Sequence, residues 1–338
     1  MVTDRAQGSI PPAIVAAFRC PICRQEGSSH PDGLRCARGH LTRWRDGYLD
    51  ATVSVAPVDS ATRRTFDSFG YEWTRFSEVN PEDGVFWERY FSDVDLSMLH
   101  GRLGLDAGCG KGRFSRFTAT HLEALVASDG SRATEAAAAN LVDQPNTCVV
   151  RADLRTMPFA AGSFGFISCL GVLHHLPDPE SGLQALAGLL GPGGLMLVYL
   201  YSRPEQPGLR AWSLRVASQV RRLSAKLPGV VLRPLCWPMA AVLYGAFVVP
   251  GAIGQRMNIE RMASMPLATY RGAPLRSLWL DTFDRLSAPL EARFTAPEAE
   301  AMFAASGLAV RVLRMDPKLA GIVVLAEKKA PSTGHTAG

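Results

Sequence analysis

Two groups of residues in this chain have the types and spacing to do chemistry. The first is Leu103-Gly104-Leu105-Asp106-Ala107-Gly108-Cys109-Gly110-Lys111-Gly112, where an apolar run ends in an acid and glycines follow at alternate positions. Such glycines let the backbone turn tightly after a strand and approach a ligand that a Cβ would exclude. A helix entered next would aim its first amides at that ligand. The second group is Cys20-Pro21-Ile22-Cys23 followed by Cys36 and His40, a C-x2-C-x12-C-x3-H spacing. Two sulfurs three positions apart can share one ion on a tight turn, and the second pair closes a tetrahedron that suits Zn2+. Four protein ligands leave no open position, so the expected role is structural. His30 is a rival fourth ligand, and reduced, metal-free cysteines in a surface hairpin are the alternative.

The elements that must position the glycine turn follow it. Residues 124–129 form a short apolar run ending in Asp129, with Gly130 and Ser131 behind it. A carboxylate at the tip of a second strand can accept both ribose hydroxyls of a nucleoside. Residues 148–154 repeat the form, ending in Asp153 and Leu154, and residues 164–170 give a fourth strand ending in Cys169 and Leu170. His174 and His175 follow that strand end, where an imidazole of near-neutral pKa can deprotonate an acceptor. Packing at a helix start is the competing reading of the pair. Strands alternate with helical windows at 133–141 and 180–190, which predicts a parallel α/β sheet with its ligand at the strands' carboxyl ends. The spacing is neither G-x-G-x-x-G nor Gly-Lys-Ser/Thr, so a dinucleotide fold and a P-loop are both disfavoured.

In order and character these segments resemble the class I S-adenosylmethionine (SAM) dependent methyltransferases of the type 11-like group. The resemblance implies a Rossmann-like, doubly wound, seven-stranded sheet. It implies that Gly108, Gly110 and Gly112 shape the methionine and ribose turn, with Asp106 near the amino-acid moiety. Asp129 and Gly130 would hold the ribose, Asp153 and Leu154 would read adenine, and Cys169 and Leu170 would meet the methionine part. Gly165 stands where the family commonly has Asp, from which a local packing difference is expected. The knuckle with Asp46-Gly47-Tyr48-Leu49 is similar to the N-terminus of bacterial 23S rRNA guanine-N1 methyltransferases. It also resembles zinc-ribbon modules fused to other bacterial methyltransferases, and Phe69-Gly70-Tyr71-Glu72-Trp73 fits the latter better. No Asn/Asp-Pro-Pro-Tyr/Phe follows the fourth strand, which argues against exocyclic base amines as acceptors.

The remaining chain divides around this frame. The knuckle is expected over 15–58, an aromatic-rich helical segment over 59–100 and the SAM-binding core over 101–201. A helical insertion after strand five is expected over 202–280, the closing helix and strands over 281–328, and a disordered tail over 329–338. In 59–100, the Trp87/Phe91 spacing suggests helices with a buried face. Packing the knuckle onto the sheet is the preferred role for most of these aromatics, with Tyr71 and Arg75 as candidates to reach the site.

The insertion opens with Arg203, Arg210, Arg215, Arg221, Arg222, Lys226 and Arg233 against only Glu205. These oppose an apolar stripe of Trp212, Val216, Val220, Leu223 and Leu227 on a helix. A cap over the substrate pocket is the preferred reading; a membrane-surface helix suited to a lipid-like acceptor and an RNA-binding face are the alternatives. The longest stretch there without proline or charge, 239–249, is too short to cross a bilayer. Thr295, Pro297 and Glu298 announce a capped helix that Gly307 ends.

Length of 338 residues and 47% apolar content support one large domain plus an appendage, and a net charge of +5 is too mild to demand nucleic acid. Seven cysteines without a secretory apolar core before them predict a reducing cytoplasm, at most peripheral to a membrane. The combined expectation is a zinc-knuckle SAM-dependent methyltransferase acting at oxygen or nitrogen of a small molecule. The alternatives are an rRNA guanine-N1 methyltransferase and a SAM-binding or zinc-mediated interaction protein without turnover. Sequence leaves the acceptor and the oligomeric state open.

Overall fold

Residues 103–107 are buried along their whole length, as a central parallel strand covered on both faces must be. In chain order the strands are β1 (Gly27–His30), β2 (Gly33–Cys36), β3 (Leu41–Arg45), β4 (Tyr48–Asp50) and β5 (Leu103–Ala107). They continue as β6 (Ala124–Asp129), β7 (Thr147–Arg151), β8 (Phe164–Leu170), β9 (Leu190–Tyr201), β10 (Leu308–Asp316) and β11 (Gly321–Lys328). The computed structural model describes residues 10–52, 59–205, 218–263, 265, 267, 270–316, 319 and 321–329.

All eleven strands join one sheet in the order β1-β2-β3-β4-β7-β6-β5-β8-β9-β11-β10. Its last seven members are the expected doubly wound core, parallel from β7 to β9, with β11 and β10 closing it as an antiparallel hairpin. The chain builds outward from β5 to β7, then crosses to β8 and β9 on the other side. That reversal opens a crevice at the carboxyl ends of β5 and β8, where such sheets bind ligands.

The strand sequences dictate two cores. Along β9, Met196, Val198 and Leu200 face one cluster while Leu195, Leu197 and Tyr199 face the other, a strict period of two. Helices α1 (Pro12–Ala17), α6 (Pro179–Leu189) and α9 (Ala296–Ala305) supply the first cluster. Helix α3 (Pro81–Tyr90) supplies Trp87 and Tyr90 to the second, where Phe91 stacks on Trp87 at 4.7 Å. The capping box of Thr295 and Glu298 forms as expected, and Gly307 follows the helix end at φ 72°. At Gly165 the packing difference is local: the Arg102 stem lies where a Cβ would stand, and its guanidinium donates to the Gly165 and Gly193 carbonyls at 2.9 and 3.1 Å.

The knuckle strands are a continuation of the core sheet. β4 pairs in parallel with β7, matching Leu49 to Val150 and Asp50 to Arg151. Ile14, Phe18, Leu34 and Leu49 are buried in the main cluster, and Arg24 donates to the Met157 and Phe159 carbonyls, both at 2.9 Å.

Two helical expectations change. After the glycine turn the α-helix α4 (Ser115–Thr118) is a single turn before a 3-10 turn at Ala119–His121. In the insertion, α7 (Gly229–Arg256) runs 28 residues, through Pro234 and Pro238 and a π-helical stretch at Tyr244–Val248. It is long enough to cross a bilayer by length and composition, because the two prolines and Arg233 fail to end it. Helix α8 (Leu275–Ser287) packs beneath it through Leu278, Trp279 and Phe283. Arg210, Trp212, Arg215 and Val216 of the expected basic helix, and tail residues 330–338, lie outside the described residues.

Candidate active site

Gly108, Gly110 and Gly112 have φ of 84°, 54° and 77°, so the turn beyond β5 needs glycine at each. At Gly108 space is also decisive, because a Cβ would stand 2.3 Å from a Val172 methyl. Asp129, at the tip of β6, fastens this turn: its Oδ2 accepts from the Gly110 amide at 3.0 Å. Its Oδ1 accepts from the Ser131 amide at 2.8 Å and hydroxyl at 2.6 Å. The Gly110 amide is thus turned to a carboxylate in the same crevice and not straight at a ligand.

Asp106 lies beneath, only 3% exposed, accepting from Ser115 Oγ at 2.5 Å and Ser168 Oγ at 3.0 Å. Burial pushes its carboxyl up to about 6, against the pull of those hydroxyls. Asp153 accepts from the Arg155 amide at 2.9 Å and pairs with its guanidinium at 2.6 Å, which orients the carboxylate beside buried Leu154. Cys169 is buried in the main core, where burial pushes its thiol up; Leu170 packs toward the opposite core. These last two cannot face one ligand through their side chains, because successive strand residues alternate.

Helix α2 (Ser60–Arg75) lies across this crevice. A Cβ at Gly130 would meet the Phe66 ring at 2.5 Å, one at Gly110 would meet Trp73 Nε1 at 3.2 Å, and one at Gly70 would meet the Arg132 amide at 3.2 Å. Phe66, Gly70 and Trp73, spaced i, i+4, i+7, therefore form the wall over the strand ends. The Arg113 guanidinium sits 5.1 Å from the Trp73 ring centroid and holds that wall to the glycine turn. Of the two anticipated residues of this helix, Tyr71 packs on Phe283 at 6.0 Å and Arg75 is exposed in the last turn. Tyr71 also lines a cleft with Phe66, Gly70 and Ser131, while its neighbours Glu72 and Trp73 are buried and set over Gly110 respectively.

Beside the crevice lies a second set of buried polar groups. His174 is wholly buried and stacks on Tyr201 at 3.9 Å, and neither ring nitrogen has a partner among the described residues. Burial drives its pKa far down, with His175 and Arg293 adding to the effect, so the ring is neutral. His175 sits 4.9 Å from Phe69 and pairs its Nδ1 with the Leu290 carbonyl at 2.7 Å; burial lowers it to about 4. Glu72 is 1% exposed with Oε2 unpartnered, and Asp284 Oδ1 is likewise without a partner among the described residues. Burial pushes Glu72 well up and Asp284 up to about 7, and Asp281 repels both. Arg221 and Arg293 clamp Glu291 at 2.5 and 2.8 Å, and Arg293 lies 5.2 Å from the Tyr201 ring centroid. Glu72, Asp284 and Tyr201 escaped the sequence reading. Only the Asp281/Asp284 pair on one turn of an amphipathic helix hinted at them.

The knuckle ligands also converge. Cys20, Cys23 and Cys36 Sγ and His40 Nδ1 lie within 4.8 Å of one another. Cys23–Cys36 is 3.7 Å, Cys20–His40 3.6 Å and Cys36–His40 3.5 Å. A tetrahedral zinc with ordinary Zn–S and Zn–N bonds has edges of about 3.8 Å between sulfurs and about 3.6 Å from sulfur to nitrogen. His30 is drawn off to Asp32, at 3.7 Å. Although desolvation opposes it, amides of Arg38 and His40 and the neighbouring thiols lower Cys36 to about 6.

A parallel sheet with its glycine turn, three strand-tip acids and a covering helix defines a nucleoside-binding protein of the Rossmann-like class. Residues 105–198, from β5 to β9, match the family described as a methyltransferase domain. An uncharacterised protein of Synechococcus sp. is 34% identical over 47% of this chain, which spans only 41% of that protein's length. Ubiquinone biosynthesis O-methyltransferase of Azotobacter vinelandii is 31% identical over 46% of this chain and 69% of its own length. The solved structure of 1,6-didemethyltoxoflavin-N1-methyltransferase from Burkholderia thailandensis has a TM-score of 0.45 at 14% identity, covering 82% of this chain and 93% of that one. The chain belongs to the class I SAM-dependent methyltransferases.

Asp129→Ala removes the tie to Gly110 and, if Asp129 holds the ribose as expected from the sequence, that contact too. It is expected to weaken SAM binding by about tenfold or more in calorimetry; unchanged affinity would take Asp129 out of the site. Asp284 gives a second expectation. Its folded pKa of about 7 stands above its ordinary 3.8, so its carboxyl adds stability while protonated and loses it as pH rises through 7. Asp284→Asn should therefore raise Tm at pH 8 and leave it nearly unchanged at pH 4; equal shifts at both pH values would place Asp284 in solvent.

Proposed function

We propose that this protein transfers a methyl group to an oxygen or nitrogen of a small, largely apolar molecule carrying a hydroxyl or amine. The observation that supports it best is the pairing of a glycine-turn crevice at the strand ends with a buried cluster, His174, Glu72 and Asp284, whose polar atoms lack partners among the described residues. SAM, when bound, supplies a methyl already activated on a sulfonium. Gly108, Gly110 and Gly112 shape the turn beside it, while Asp106 stands near its amino-acid end. Asp129 and Gly130 hold the ribose, and Asp153 with Leu154 reads the adenine. Cys169 and Leu170 close the methionine side, through backbone more than side chain.

Next to that crevice, His174 presents two unpartnered nitrogens, and one of them accepts a hydrogen bond from the acceptor's hydroxyl. His175 fixes the loop through Leu290. Glu72 and Asp284, whose carboxyls burial raises, supply a sink for the proton that leaves the acceptor. Phe66, Phe69, Trp73 and Tyr201 exclude water and favour an apolar body. The Azotobacter relative, by its name, methylates an oxygen in ubiquinone biosynthesis, which agrees with a lipid-like acceptor. The 202–280 insertion serves as the cap over this cluster, since α8 begins in it and carries Asp284, four residues beyond it, into the site's wall.

Cys20, Cys23, Cys36 and His40 hold a structural zinc in this reading, whose role is to cross-link two turns that have little core of their own. The double variant Cys20→Ser with Cys23→Ser should lose stoichiometric zinc and lower Tm, because Phe18, Leu34 and Leu49 around the knuckle belong to the main core. Unchanged metal content by mass spectrometry would end the zinc assignment.

Methyl-labelled SAM incubated with the protein and a cell extract, separated into RNA, protein and low-mass fractions, tests the function. Label in the low-mass, solvent-extractable pool is expected. Label in ribosomal RNA would instead make this a guanine-N1 methyltransferase, and tight SAM binding with no label anywhere would leave a non-catalytic binding protein.

A further inference from the structure

The apolar surface of this molecule is concentrated in one place. Among the described residues, 13 of the 17 exposed large apolar side chains fall between Val220 and Ile259. Val230, Leu235, Trp237 and Val242 are 66%, 55%, 52% and 69% exposed. They lie on α7, whose most apolar 18-residue window has mean hydropathy 1.6 and is only 22% buried. Water-soluble surfaces rarely keep so large a contiguous apolar patch without a partner.

The other side of α7 is anchored. Leu232, Cys236 and Ala240, at i, i+4 and i+8, are buried over Phe283, Trp279 and Leu278 of α8. Trp279 Nε1 donates to the Arg233 carbonyl at 3.0 Å. A helix held along one flank in this way cannot thread through a bilayer without tearing from α8. It can lie in the interface with its outer flank buried among acyl chains.

Charge selects the occupant. From 218 to 259 the chain has no Asp or Glu, while it carries Arg221, Arg222, Lys226, Arg233 and Arg256. Arg221 is committed to Glu291, and Arg233 stacks between Phe76 and Trp279. Arg222 and Lys226, before α7, and Arg256, at its end, are exposed. Cations thus flank an apolar face bearing an exposed tryptophan, the arrangement that suits an anionic bilayer surface. A second copy is a poorer fit, since a two-fold contact would set like charges against each other.

We propose that the protein docks on anionic lipid bilayers through the outer flank of α7, with Leu235, Trp237 and Val242 entering the acyl boundary and Arg222, Lys226 and Arg256 at the headgroups. This surface is separate from the methyl-transfer chemistry, and its test requires no turnover.

The test is flotation of the full-length protein with vesicles of phosphatidylcholine alone and of phosphatidylcholine with about one third phosphatidylglycerol. Binding to the anionic vesicles, weakened by salt, is expected. The variant Leu235→Asp/Trp237→Ser/Val242→Asp should reduce it by about tenfold or more. All three side chains are exposed, so the variant should keep the parent's circular dichroism and SAM affinity. A milder pair, Arg222→Ser with Lys226→Ser, should remove the preference for anionic vesicles while leaving the fold untouched. Failure to float with anionic vesicles, or flotation indifferent to both variants, overturns the proposal. So does a dimer in sedimentation that the triple variant dissolves while vesicles stay unbound.

Discussion

The bond from the Gly110 amide to the Asp129 carboxylate is the constraint on which the site depends. It joins the turn beyond β5 to the tip of β6, so two strand ends that are only neighbours in the sheet become one rigid edge. Three positive-φ glycines make the turn possible, and the carboxylate makes it single-valued. Asp106 beneath is held by two serines from different elements, which ties β8 into the same edge. Each acid therefore has a structural partner as well as a place facing the crevice.

Over that edge, α2 and α8 bring together polar groups that are costly to bury. Glu72, Asp284 and His174 all have buried atoms without a partner among the described residues. A fold that aimed only at stability would have filled the space with aliphatic side chains. Retaining these groups raises the carboxyls and lowers the imidazoles, so burial favours the uncharged form of each. The same enclosure supplies the dry, aromatic wall that a methyl transfer needs against hydrolysis.

The two additions to the core sheet behave in opposite ways. The knuckle is absorbed: β4 extends the parallel sheet and Phe18 packs edge-on to Phe159 at 6.4 Å, so a small module without a core borrows one. The insertion is only half absorbed. α8 joins the site, while α7 covers α8 and leaves its other flank apolar and exposed. One element thus links an inward-facing pocket to an outward-facing greasy surface.

Local sequence determined the cofactor edge and the knuckle, because both rest on short-range rules. Glycine spacing fixes a turn, an acid after an apolar run fixes a strand tip, and C-x2-C with C-x3-H fixes a ligand set. Alternation along β9 and the capping box at Thr295 were legible for the same reason. Gly165 announced only that packing would differ there; that Arg102 fills the space took the fold. The pocket was illegible, since Glu72 sits on a helix where every neighbouring aromatic was an equal candidate, and Asp284 lies some two hundred residues away. What buried Glu72, set Trp73 over Gly110 and left Arg75 exposed was the seating of α2 between the glycine turn and α8. The length of α7 was misjudged for a related reason: two prolines break a helix in isolation, but burial of Leu232, Cys236 and Ala240 against α8 carries it past them. Sequence alone determined the glycine turn and the strand-tip acids, because these are set within one turn or strand. Only the tertiary structure decided which polar groups are buried beside them and which face is left bare, because both depend on helices distant in sequence packing side by side.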